Sequence, residues 1–144
     1  MQDFFMNCAT VLQKYGFSYL RGAGTTLLLA LVGTFFGCLI GFAVGALQTI
    51  PIDKQRDPAW KRVLLKILHI FLRCYVELFR GTPMIVQAVF IYYGLLQVFS
   101  IKMGMWQAGF FIVSINTGAY MAETVRGGIV SIDPGQTEGA KAIG

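Results

Sequence analysis

Charge is scarce in this chain. Asp, Glu, Lys and Arg supply 13% of its 144 residues, where a soluble domain carries about 25%. Three windows, 22–50, 81–101 and 103–122, contain none of them. Histidine occurs once, at His69, so no histidine pair exists to bind a metal or relay a proton. The three cysteines, Cys8, Cys38 and Cys74, lack metal-ligand spacing, and nothing argues for a disulfide framework. No phosphate-binding glycine loop ending in Lys-Ser or Lys-Thr is present. No nucleophile–base pair or pair of carboxylates shares a face; Glu123 and Asp133 fall on opposite sides of a turn. No catalytic residue and no metal ligand is assigned.

Apolar length takes the place of charge. Hydrophobic residues make up 56% of the chain and the mean hydropathy is +0.63. Each charge-free window is long enough for a helix to cross the bilayer core, which takes ~20 apolar residues. The runs are continuous rather than alternating, which excludes barrel strands. The expectation is an all-α integral membrane protein with three transmembrane helices, at about 22–50, 82–99 and 106–126. Residues 1–20 have Asp3 near their start and no long apolar centre, so they do not read as a secretory signal. They read as a lead-in to the first span, with a short interfacial helix as the alternative.

The cations are placed unevenly. Lys54, Arg56, Lys61, Arg62, Lys66, Arg73 and Arg80 crowd the loop 51–81, whereas Lys14 and Arg21 precede the first span and Lys102 stands alone. The positive-inside rule puts residues 51–81 and 127–144 in the cytoplasm, with the N-terminus and the Lys102 turn outside. That placement accounts for the net charge of +5 without a nucleic-acid partner. Arg62, Lys66, His69, Arg73, Glu77 and Arg80 recur every three or four residues, opposite Leu64, Leu65, Leu68, Phe71, Leu72, Val76 and Phe79. The pattern predicts a basic amphipathic helix along the inner membrane surface, with Arg73 and Glu77 able to pair and His69 solvated.

Gly33, Gly37, Gly41 and Gly45 repeat every four residues in the first span. Such a stripe lets two helix backbones approach closely, within the chain or against a second copy. At Gly81-Thr82-Pro83 a hinge is expected, with Thr82 as cap and Pro83 at the first helical position of the second span. Gln87 then offers a bond to a neighbouring helix. The third span opens with Trp106 as an interfacial anchor and carries Asn116, Thr117, Tyr120 and Glu123 at depth. Two readings fit those four: the lining of a polar substrate path, or interhelical hydrogen bonding with Glu123 paired to Arg126. Beyond Ile132, Asp133 suits a helix cap, followed by Pro134 and a capping-box Gln136. The helix so started carries Gly135, Glu138, Gly139, Ala140, Ala142 and Gly144. Its small residues fit a docking element or an ordinary loop helix.

Two multi-residue motifs in order carry a resemblance. Glu138-Gly139-Ala140 with Gly144 resembles the start of the EAA loop of ATP-binding-cassette importer permeases, with Gly139 where alanine is usual. Tyr75-Val-Glu-Leu-Phe-Arg-Gly-Thr-Pro83 with Gln87 is similar to the polar amino-acid uptake subfamily, and so is Ala119-Tyr120 with Glu123, Arg126-Gly-Gly-Ile129, Gly135-Gln136 and Glu138. The match runs over about residues 22–144. The resemblance implies part of a type I importer transmembrane domain that works as a homo- or heterodimer. It also implies partner ATPase subunits that hold ATP and Mg, and an extracytoplasmic substrate-binding protein. Residues 134–144 would begin the coupling helix that docks in the ATPase, with Gly135, Gln136, Glu138, Gly139, Ala140 and Gly144 at the contact. The family motif continues past its second glycine, so a longer chain with further spans is expected. A self-associating channel and a non-transporting scaffold are the alternatives.

Overall fold

The computed structural model of the chain describes residues 2–53, 58–94, 97–98 and 102–144. Lys54 and Arg56 of the cationic loop, residue 99 at the end of the expected second span, and residues 100–101 of the outer turn expected near 100–104 lie outside them. Among the described residues the fold is helical throughout. Helix α1 (Gln2–Gln48) is followed by α2 (Ala59–Gly81), α3 (Met84–Val89) with a π-helical turn (Phe90–Gly94), α4 (Met105–Val130) and α5 (Pro134–Ile143).

Helix α1 starts well before the first charge-free window. Its 47 residues give a rod of about 70 Å at 1.5 Å per residue, more than twice the ~30 Å bilayer core. The expected lead-in is therefore helix continuous with the span: residues 2–21 contain no proline and no turn signal to stop it. Among the described residues, α1 is the helix whose length and composition alone suffice to cross a membrane, over Ala9–Gln48. Helix α4 is 26 residues long, but Asn116, Thr117, Glu123 and Arg126 dilute its apolar character.

The core follows α4. Ala119 and Ala122 are fully buried and Ala108 and Ile112 nearly so, because α1 and α2 both pack against α4, meeting it together at Gly118. The α1 contact uses the glycine row. A β-carbon at Gly33 would lie 2.5 Å from Val113 Cγ1, one at Gly37 2.6 Å from Thr117 Cβ, and one at Gly45 2.8 Å from Val125 Cβ. One at Gly41 would strike Met121. Each step of four along α1 matches a step of four along α4 in the same direction, so the two helices run parallel. Small residues on one side facing larger ones on the other permit this approach where no water drives association.

Parallel α1 and α4 require the chain between them to return the full distance. Helix α2 makes the first part of that return. The Tyr75 hydroxyl donates to the Ile115 carbonyl at 2.7 Å, and the Asn116 amide donates to the Phe79 carbonyl at 3.3 Å, both near the middle of α4. Leu65, Leu72 and Val76 form the buried seam of α2. The second half of α2 thus packs along α4 rather than lying along a surface. Its cations do not prevent this: Arg80 turns toward α4, where the Glu123 carboxylate and the Tyr120 ring receive it.

The expected second span, about 82–99, is not one regular helix. It begins at Met84, becomes a π-helical turn at Phe90–Gly94, and is described again only at Gln97 and Val98. Pro83 occupies the N-cap position rather than the first helical position. Thr82 ends α2 instead of capping α3: its hydroxyl donates to the Leu78 carbonyl at 2.8 Å.

Candidate functional site

At the α2–α3 break the peptide groups cannot continue a helical ladder, because Pro83 has no N–H. Gln87 meets that need. Its amide group lies 2.9 Å from the Phe79 carbonyl, 2.9 Å from the Thr82 carbonyl and 2.8 Å from the Thr82 hydroxyl. Asn116 of α4 donates to Gln87 Oε1 at 3.0 Å. One glutamine therefore closes the break and ties it to the middle of α4. Gln87 is 7% exposed, so these partners stand in for the water it loses.

A turn further along α4, Tyr120 and Glu123 face the same side. The Arg80 guanidinium lies 5.7 Å from the centre of the Tyr120 ring. Arg80 Nη1 is 3.6 Å from Glu123 Oε2. Arg126 grips the same carboxylate with two donors, Nη2 at 2.6 Å and Nε at 3.2 Å. The short bidentate bond within α4 is the stronger of the two ion pairs, and the longer one crosses between helices.

These groups border a cavity of about 360 Å³ lined by Gln48, His69, Arg73, Val76, Glu77, Arg80, Glu123 and Arg126. It lies where the end of α1 meets α2 and the last part of α4. His69 is part of its frame: Nε2 is 3.0 Å from the Leu47 carbonyl in the last turn of α1, an oxygen that also accepts from the Ile50 N–H at 3.4 Å. The side chain expected to be solvated thus links two helices, because the turn of α2 that carries it passes beside the α1 terminus. Arg73 and Glu77, placed by sequence where they could pair, are not ion-paired to each other; Arg73 instead adds its positive charge to the field around Glu123.

Of the four residues proposed for a polar path, Asn116, Tyr120 and Glu123 face α2. Thr117 does not join them. Its Cβ fills the groove at Gly37, since one residue along a helix turns the side chain about 100° away. Asn116 is committed to an interhelical bond, as the second of the two sequence readings has it. Sequence reasoning missed Gln87 as the organiser of the break and Arg80 as partner of Glu123. The Gly81-Thr82-Pro83 break was the available signal for the first; the second depends on how α2 meets α4.

Helix α5 stands apart from this assembly. Asp133 Oδ1 accepts from the Gly135 N–H at 2.6 Å and starts the helix. Gly135, Gln136, Glu138, Gly139, Ala140, Lys141 and Gly144 are all exposed, and Ile143 is 89% exposed. A β-carbon at Gly139 or Gly144 would meet nothing within 4 Å. No group of three or more metal-ligating side chains occurs among the described residues.

The model of the family described as "binding-protein-dependent transport system inner membrane component" matches residues 59–144, from the start of α2 through α5. The chain belongs to that family. It is 32% identical over 127 residues to a putative glutamine transport system permease protein, GlnP, of Rickettsia conorii, covering 88% of this chain and 52% of the relative. It is 31% identical over 125 residues to the arginine transport system permease protein ArtQ of Bacillus subtilis, covering 87% and 51%. A solved structure described as an amino acid ABC transporter with histidines superposes with a TM-score of 0.77 at 32% identity, covering 94% of this chain and 56% of that one. The chain spans about half the length of the curated relatives it matches. For an inner membrane component, the apolar outer face of α1 is a face toward lipid or toward other membrane helices.

Proposed function

We propose that the chain is part of the permease subunit of an importer for polar amino acids, driven by ATP hydrolysis in separate subunits. The observation that carries this reading is α5. A helix built of small residues, exposed along its described length and capped by Asp133, follows directly from the most buried helix of the fold. Movement of α5 would thus be transmitted to α4, and through Glu123 and Asn116 to α2 and the α2–α3 break. Docking of α5 in an ATPase, with Glu138 and Gly144 at the contact, would let ATP-driven closure of the ATPase pair change the relative positions of those helices. The names of the relatives, glutamine and arginine permeases, support amino acids as the transported class.

The channel alternative loses its interface, because the row Gly33 to Gly45 is already filled by α4. The test uses the complete permease co-expressed with its ATPase. Glu138→Lys and Gly144→Val are expected to reduce co-purification of the ATPase while leaving membrane insertion unchanged. Undiminished association in both variants would remove the docking role.

A further inference from the structure

The register between α1 and α4 leaves the first part of α1 without a partner. Leu29 lies against Gly109, Gly33 against Val113 and Gly45 against Val125. The same register puts Thr25 level with Met105, where α4 begins. Residues 2–24 of α1 therefore run on beyond the bundle, a length of about 35 Å at 1.5 Å per residue. A β-carbon at Gly16, Gly22 or Gly24 would meet nothing within 4 Å. Crossing the bilayer does not require this length, because the charge-free window 22–50 already exceeds the ~20 residues that suffice.

The arm has two unlike faces. Asn7, Thr10, Lys14, Ser18 and Arg21 follow one another at three or four residues and form one narrow polar stripe. Leu12, Tyr15 and Tyr19 make a row on the opposite side at the same spacing, and all three are exposed. Phe17 and Leu20 flank the stripe and are exposed as well, so the apolar arc is the wider one. Between residues 6 and 21 the charges are Lys14 and Arg21, both positive. Lys14 Nζ lies 5.5 Å from the centre of the Tyr15 ring, a cation beside an aromatic edge of the apolar arc. Tyrosines on a wide apolar arc, bordered by cations and by no acid, suit the boundary between acyl chains and lipid phosphates. A face built for a protein partner in water would instead leave most of this arc uncovered.

The arm can reach that boundary. Level with the start of α4, Gly22 and Gly24 leave the helix without side chains, and residues 21–24 are all exposed. One turn on, the Thr25 and Thr26 hydroxyls donate to the Arg21 and Gly22 carbonyls at 2.8 and 3.0 Å. Paired glycines and hydroxyls bonded back to the preceding turn are both features at which helices bend.

We propose that residues 6–21 turn aside at residues 22–26 and lie on the bilayer surface, at the end of the bundle where α4 begins. Leu12, Tyr15 and Tyr19 enter the acyl chains, and Lys14 and Arg21 stay among the phosphates. The arm then fixes the height of α1 in the membrane. This rests on the membrane placement of the bundle and not on the importer reading.

The test uses the complete permease with its ATPase, in nanodiscs of phosphatidylcholine and phosphatidylglycerol, with Cys8, Cys38 and Cys74 replaced by serine. Single nitroxide labels are attached at Asn7→Cys, Thr10→Cys and Ser18→Cys on the stripe, and at Leu12→Cys, Tyr15→Cys and Tyr19→Cys opposite it. Collisions with oxygen and with a water-soluble nickel chelate are read by power saturation. Labels at 12, 15 and 19 should favour oxygen and sit about 5–10 Å below the phosphates, whereas those at 7, 10 and 18 should favour nickel. The depths at 12 and 19 should be equal; an upright arm would separate them by about 10 Å and overturn the proposal. Nickel contact at all six positions would place the arm in water, with the same consequence. Shielding of 12, 15 and 19 from both reagents would show that protein, a second copy or a binding protein, covers the face in place of lipid. If one variant does not assemble, the two remaining on its face decide.

Discussion

A β-carbon at Gly41 would strike Met121 and come within 2.6 Å of the Gly118 carbonyl oxygen, backbone that cannot swing aside. At Gly139 it would meet nothing. The same small residue therefore has different consequences in α1 and α5. Gly41→Val should separate α1 from α4 and cost about 1–3 kcal/mol, the usual range for overpacking. Gly139→Ala should stay within about 0.5 kcal/mol. Thermal unfolding of the two variants in detergent checks both, and equal midpoints would mean that α1 and α4 are not in close contact. The period of four made the row legible from sequence. Its partner was not, because nothing local says that residue 113 lies against residue 33. Asn116 and Gln87 form the other informative pair, 3.0 Å apart across helices. A double-mutant cycle with Asn116→Ala and Gln87→Ala should give a coupling of about 0.6 kcal/mol, the average for such bonds in membrane proteins.

Helix α5 has ten residues, shorter than the ~12–15 at which isolated helices become even marginally stable in water. It has no apolar face packed on the rest of the fold, so its start signals matter more than in α1 or α4. Asp133→Ala removes the acceptor for the Gly135 N–H and should cost α5 about 1 kcal/mol. The expected readout is faster amide exchange over 134–143, with α4 unchanged; unchanged exchange throughout would mean that contacts outside the chain hold α5. The capping signal of Asp133 and the following proline was readable because it is local. The division of the second span was only half readable. Gly81, Thr82 and Pro83 announce a break, but the π-helical turn at Phe90–Gly94 follows a charge-free stretch with no punctuation until Gly94. Helix α2 shows the limit of pattern reading. Its cations and apolar positions divide cleanly, yet the seam that packs falls at Leu65, Leu72 and Val76, on the edge of the apolar face. That leaves Trp60 at 69%, Ile67 at 60% and Phe71 at 70% exposed.

At the scale of the whole molecule, the parallel packing of α1 and α4 settles relations that hydropathy alone leaves open. The matched rows Gly33 with Val113 and Gly45 with Val125 put the starts of both helices at one end and their finishes at the other. Lys102, just before α4, then belongs to the opposite end from Gly139, just after it. In the orientation we propose, the second end faces the cytoplasm, the side where the positive-inside rule puts the cations of α2 and Arg126. Three cysteine variants of the complete permease, each in a background with Cys8, Cys38 and Cys74 replaced by serine, test the arrangement. In intact cells a membrane-impermeant maleimide should label Lys102→Cys and leave Gly139→Cys untouched. In inverted vesicles the order should reverse. Phe71→Cys should resist the reagent from both sides, because an exposed apolar face of α2 is covered by lipid or by other membrane helices. Labelling of positions 102 and 139 from the same side would contradict a membrane crossing by α4. Labelling of position 71 from the cytoplasmic side would return α2 to the aqueous surface and detach the Tyr75–Ile115 bond from any role within the membrane.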